Sequence, residues 1–142
     1  MIIPYHDANH RAEVLKLWRD VFGSARAHNE PALVIDKKLA GKDQLFWVVL
    51  ESGILVGTMM AGYHGHRGWL YSLAVAESSR GRGLGRALGM HAEKTLQDLG
   101  GMKINLQIRA GNEGVESFYH QLGFPTAKCV SLGKTLLSND ED

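Results

Sequence analysis

Three glycines at alternate positions, Gly81, Gly83 and Gly85, stand where a β-patterned run, Trp69–Val75, gives way to a helix-patterned run, Gly83–Leu99. This junction restricts the fold more than any other part of the chain. A strand must pass through a short loop into a helix whose first turn is almost bare of side chains. The first N–H groups of a helix have no partner inside it, and the helix dipole adds positive potential there. Glycines let those donors approach an anion closely, so the junction suits phosphate or pyrophosphate. Arg80, Arg82 and Arg86 add charge within reach. Two familiar phosphate motifs fail. No Lys-Ser/Thr pair follows, as a Walker A loop needs, and the third glycine of G-x-G-x-x-G falls on Arg86 or Leu88. The plainer alternative is a loop that only permits close strand-to-helix packing. Three arginines beside three glycines weigh against it.

The rest of the chain alternates the two periodicities. Ile2, Ile3 and Tyr5 suggest a first strand, and Asp7 or Asn9 offers a helix N-cap. Val14, Leu15, Trp18, Val21 and Phe22 form one helical face, stopped by Gly23 and Ser24. Pro31 suits the first turn of a shorter helix carrying Leu33, Ile35 and Leu39 and ending at Gly41. Leu45–Glu51, the turn Ser52-Gly53, and Ile54–Tyr63 read as a hairpin, and Trp69–Val75 extends it to a meander. In Gly83–Leu99, Leu84, Leu88, Ala92, Leu96 and Leu99 line one face, with Gly100-Gly101 as the stop. Lys103–Arg109 reads as a strand, Asn112–Leu122 as a helix closed by Gly123, and Phe124 to about Leu137 as one or two further strands. Ser138-Asn139-Asp140-Glu141-Asp142 reads as an acidic tail. This order indicates a single α/β domain with a mixed sheet over residues 1–137.

Composition removes several functions. The 16 basic and 15 acidic residues leave a net charge of +1, with no tract suited to nucleic acid or anionic lipid. No window approaches the ~18 apolar residues of a membrane span. The first residues have no signal-peptide pattern, so a cytoplasmic location fits. Cys129 is the only cysteine. It permits no internal disulfide and no Cys-based zinc cage, and reads as a small buried or half-buried hydrophobe rather than a nucleophile. The 17 glycines against 3 prolines imply either disorder or a backbone that side chains would obstruct. Most fall at element ends, which favours the second.

Arg80-Gly81-Arg82-Gly83-Leu84-Gly85 resembles the Arg/Gln-x-x-Gly-x-Gly/Ala signature of the GNAT superfamily, the Gcn5-related N-acetyltransferases. Asn112-Glu113-Gly114-Val115-Glu116-Ser117-Phe118-Tyr119-His120-Gln121-Leu122-Gly123-Phe124 resembles that family's Asn-x-x-Ala-x-x-Phe-Tyr-x-x-x-Gly-Phe element, with Val115 in place of the small residue. The two motifs stand in the family's order and separation. Gly62–Gly68 is similar to small bacterial acetyltransferases of the YpeA type, near the ribosomal-protein alanine acetyltransferases. The resemblance implies a three-layer α/β/α domain around a mixed, mostly antiparallel sheet. It also implies an acetyl-CoA-dependent N-acetyltransferase acting on a primary amine by direct attack, with no metal.

Carried over residue by residue, the resemblance implies that the amides of Arg80, Gly81, Arg82, Gly83, Leu84, Gly85 and Arg86 bind the pyrophosphate of coenzyme A. Leu73, Ala74 and Val75 would pair by their backbone with the pantetheine arm. The Val75 amide would stabilise the oxyanion. Asn112 would bind the pantetheine region, and Tyr119 would donate a proton to the departing thiolate. Only a neutral amine is nucleophilic, so a base is needed. Many members carry an acid on the third meander strand, and Trp69–Val75 has none. His64, His66, Tyr71 through a water, Asn105 and Gln107 remain the candidates. Another departure is Glu77, where many members have proline.

Phe22–Glu30 and the following helix would wall the acceptor pocket. Its polar residues Arg26, His28, Asn29 and Glu30 show no dominant sign. A protein N-terminus, a lysine or a small amine all fit. Two other readings stay open. One is a catalytically silent acyl-CoA-binding module; the other is a nucleotide-binding module, weakened by the failed phosphate motifs. By family analogy a homodimer would form through the C-terminal strands.

Overall fold

A computed structural model describes residues 1–25 and 27–136. Arg26, Leu137 and the tail 138–142 lie outside the described residues. Five strands form one sheet in the order β1-β2-β3-β4-β5. They are β1 (Ile2–Pro4), β2 (Phe46–Glu51), β3 (Ile54–Tyr63), β4 (Arg67–Val75) and β5 (Lys103–Asn105). The first four pair antiparallel, and β5 joins β4 in parallel. Helices α1 (Asp7–Phe22) and α2 (Pro31–Ala40) precede β2; α3 (Leu84–Asp98) lies between β4 and β5; α4 (Glu113–Gln121) follows β5.

The alternating pleat of the sheet sends its side chains to two cores. On one face Val14, Leu17 and Trp18 of α1 and Ile35 of α2 pack on Phe46, Val48, Met60 and Ala74. On the other, Leu88, Ala92 and Leu96 of α3 and Tyr119 of α4 pack on Trp47, Val49, Met59 and Leu70. This is the expected α/β/α layering. Gly68 allows α3 its close approach, since a Cβ there would stand 2.6 Å from Leu96 Cδ1. Gly68→Ala should therefore cost about 1–2 kcal/mol through overpacking. Urea unfolding checks this, and an unchanged midpoint would show that Leu96 moves aside freely.

Four sequence expectations change. Asp7 and Asn9 do not cap α1; His6 holds the N-cap position without a side-chain bond. The Asp7 carboxylate instead accepts from Tyr5 Oη at 2.7 Å and Arg11 Nε at 2.8 Å, which hold its pKa below the usual carboxylate range. The β5 strand ends at Asn105 rather than Arg109, because the chain leaves β4 there. Residues 124–136 form no strand. A strand needs a partner edge, and three residues of β5 template little; Val130, Leu132 and Leu136 stay exposed. Cys129, in the same segment, is exposed rather than buried.

Candidate functional site

Strand β4 pairs with β3 along most of its length, but with β5 only at Arg67↔Lys103, Gly68↔Ile104 and Trp69↔Asn105. Beyond that rung the two chains part. The result is a fork that opens along β4 toward the glycine junction. The Ala76 N–H donates to Val56 O at 2.8 Å, toward β3. Alternation in an antiparallel ladder then turns the N–H and C=O of Leu73 and Val75 the other way, into the fork. Arg80 Nε donates to Val75 O at 3.0 Å on this side. The edge is thus a row of backbone groups suited to an extended ligand laid beside it as an added strand.

A bulge sets that edge. The β3–β4 register shifts between Thr58 and Met60, and Ser72 takes a positive φ of 53°. Thr58 Oγ1 donates to Ser72 O at 2.9 Å, and Trp18 Nε1 donates to Thr58 Oγ1 at 2.9 Å. Thr58 is fully buried and Trp18 nearly so. Sequence reasoning missed this relay. Its members are 40 positions apart, and Trp18 reads only as one more apolar residue on a helical face.

The junction follows directly. Glu77–Ser79 makes one 3-10 turn, then Gly81 and Gly83 take left-handed φ values of 81° and 80°. A Cβ at either would meet no atom within 4 Å, so the space before them is open. Gly83 is the N-cap of α3 and supplies no side-chain acceptor, so the amides of the first turn are uncapped. At Gly85 a Cβ would stand 3.2 Å from Phe118 Cζ, which places α4 against the start of α3. Arg82 Nη2 donates to Glu51 Oε1 at 2.6 Å, while Arg82 and Arg86 remain exposed. Open left-handed glycines, an uncapped helix start and exposed arginines fit a pyrophosphate.

The other candidates divide. Tyr119 on α4 is 6% exposed and packs edge-on to Phe118 and Phe124. Burial pushes its pKa up to about 12. Tyr119 also lines a cleft of about 640 Å³ between α3, α4 and the outer edge of β5. Asn112 is the exposed N-cap of α4 and makes no side-chain cap bond. His64 and His66 are exposed in the β3–β4 turn, their rings 6.0 Å apart. That turn lies at the end of β4 away from the glycine junction, beyond the paired rungs. The structure therefore does not bring either histidine into the fork. Tyr71 and Asn105, by contrast, stand at its mouth.

A mixed sheet, split beside an antiparallel meander, thus ends in an open glycine helix start. The model of the acetyltransferase (GNAT) family matches residues 11–124. An acetyltransferase of Pectobacterium atrosepticum is 39% identical over 128 residues, covering 90% of each chain. The chain therefore belongs to the GNAT acetyltransferase family. Solved structures share the fold. A putative acetyltransferase from Agrobacterium tumefaciens superposes with a TM-score of 0.79 at 20% identity, covering 95% of this chain and 99% of that one. AAC(6')-Iy, bound to the bisubstrate analogue CoA-S-monomethyl-acetylneamine, gives 0.74 at 16% identity, covering 96% and 98%.

Proposed function

We propose that this protein transfers the acetyl group of acetyl-CoA to a primary amine by direct attack in a ternary complex. The observation that carries the reading is the β4 edge: unpaired by β5 past Trp69, with the Leu73 and Val75 amides turned outward, and running straight into the uncapped, glycine-lined start of α3. Bound acetyl-CoA supplies an activated thioester carbonyl. The amides from Arg80 to Arg86 hold the pyrophosphate, and the backbone of Leu73, Ala74 and Val75 orients the arm. The Val75 N–H donates to the carbonyl oxygen as it gains charge, and Asn112 holds the arm from the α4 side. Tyr119 hydrogen-bonds the departing sulfur. The amine's lone pair forms the N–C bond, the C–S pair goes to sulfur, and the surplus proton passes from the nitrogen to solvent water.

Thermal shift and thiol release test this together. Acetyl-CoA should raise Tm while ATP and NAD do not, and CoA thiol should appear with at least one amine of a panel. Stabilisation without thiol release from any amine would replace the enzyme with a silent acyl-CoA binder. Gly83→Ala forces a left-handed φ on a side chain at a cost of about 1–2 kcal/mol. It should weaken acetyl-CoA binding about tenfold, read by titration. Wild-type affinity in that variant would remove the junction from the site.

A further inference from the structure

We infer that Glu51 competes with the pyrophosphate of coenzyme A for the Arg82 side chain and so loosens the hold on the cofactor; this rests on the N-acetyltransferase reading above.

Glu51 is the last residue of β2 and pairs with Ile54 across the hairpin. Side chains alternate along a strand, so Trp47, Val49 and Glu51 share one face of β2 and Leu50 takes the other. Trp47 and Val49 belong to the core beneath α3, and Leu50 packs on the core beneath α1. Glu51 therefore ends its strand on the α3 side of the sheet. There Arg82 Nη2 donates to Glu51 Oε1 at 2.6 Å, across 31 positions of sequence. The three arginines of the junction are thus placed differently. Arg80 is committed to the Val75 carbonyl, Arg82 is held by a carboxylate, and Arg86 stands exposed on the first turn of α3.

Two anions can therefore use the same guanidinium. The Arg82 backbone lies between Gly81 and Gly83, whose left-handed turns leave open space for a phosphate. Its side chain offers a planar fork of N–H donors that matches carboxylate and phosphate oxygens alike. The pair with Glu51 is 54% and 31% exposed, so water screens it and it contributes little to stability. A pyrophosphate carries more charge than one carboxylate and is gripped by the loop amides as well, so it can draw the guanidinium away. Glu51 is then left ionised beside an anion, and the two repel. Binding exchanges one anion for another at Arg82, and the loss of the Glu51 contact is subtracted from the cofactor's affinity. Acetyl-CoA and CoA carry the same pyrophosphate, so the exchange loosens substrate and product equally. A uniform loss of this kind leaves the bond-making step alone and speeds the release of CoA.

The test titrates the full chain with CoA and with dephospho-CoA, which lacks the 3′-phosphate but keeps the pyrophosphate. At low salt Glu51→Gln should tighten both ligands about fivefold and slow CoA dissociation by a similar factor in a displacement experiment. The gain should shrink at about 1 M salt, where charges this exposed are screened. In an Arg82→Gln background the same change should alter affinity by less than about twofold, because no guanidinium is left to contest. Urea midpoints should stay at the wild-type value throughout, as expected for an exposed pair. CoA binding that Glu51→Gln leaves unchanged or weakens overturns the inference. An equal gain in the Arg82→Gln background also overturns it, because Glu51 would then act as a bare charge. So does a gain with CoA that vanishes with dephospho-CoA, since the contested anion would be the 3′-phosphate. If the wild type binds neither CoA nor acetyl-CoA, the functional reading falls and the inference with it; the other failures sink the inference alone.

Discussion

Tyr119→Phe should lower kcat about 100-fold and leave acetyl-CoA binding unchanged. The ring is part of the α3–α4 core, so phenylalanine keeps the packing against Phe118 and Phe124 and removes only the hydroxyl. A positioned proton donor contributes roughly 10²–10⁴-fold in such reactions. Burial pushes the Tyr119 pKa up to about 12, so the hydroxyl stays protonated at every pH near neutrality. That makes it a constant donor but a reluctant acid. An ordinary thiol has a pKa of about 8.5, so full transfer from Tyr119 to a thiolate runs uphill. The proton is shared in a hydrogen bond as the C–S bond lengthens, rather than surrendered. It follows that the wild-type rate should show no alkaline limb from this residue below about pH 11. Steady-state kinetics and acetyl-CoA titration check both halves. A variant with wild-type kcat would leave Tyr119 a core aromatic and nothing more.

The parts of the site that were legible in the sequence are those made by neighbours in the chain. Gly81, Gly83 and Gly85 follow a strand and open a helix within a few residues, so their pattern announces the turn they make. The meander reads well for the same reason: Ser52-Gly53 and His64-Gly65-His66 join strands that are adjacent in both sequence and sheet. What stayed hidden depends on distant pairing. Where β5 parts from β4 is set by which backbone groups meet across more than thirty residues, and alternation within Lys103–Arg109 does not encode it. Val130, Leu132 and Leu136 carry a β-like alternation, yet among the described residues no edge takes them up. His64 and His66 drew notice because histidine titrates near neutrality. Chemistry alone says nothing of which end of β4 a turn occupies. That Asn105 Oδ1 is buried without a hydrogen-bond partner among the described residues shows only once the sheet is formed.

Thr58→Val should be the most destructive single change to the fork outside its lining. Valine matches threonine in shape but cannot bond. The Ser72 carbonyl loses its donor and Trp18 Nε1 loses its acceptor, both in a buried setting. Each orphaned buried group costs roughly 1–3 kcal/mol, so the variant should lose about 2–4 kcal/mol in urea unfolding. The consequence for binding follows from the bulge. Ser72 holds a φ of 53°, which a serine adopts only when its surroundings require it. Without the Thr58 hydroxyl the strand can slip toward regular pairing with β3, and a one-residue slip exchanges the directions of the Leu73 and Val75 amides. Acetyl-CoA affinity should then fall more than tenfold. Two companions separate the causes. Thr58→Ser keeps the hydroxyl and should restore affinity despite the lost methyl. Trp18→Phe removes the outer donor together with part of a buried ring, but leaves the Thr58–Ser72 bond; it should lower stability while the bulge and the affinity persist. If Thr58→Val binds acetyl-CoA as the wild type does, the bulge is held by the sheet alone and the relay serves stability only.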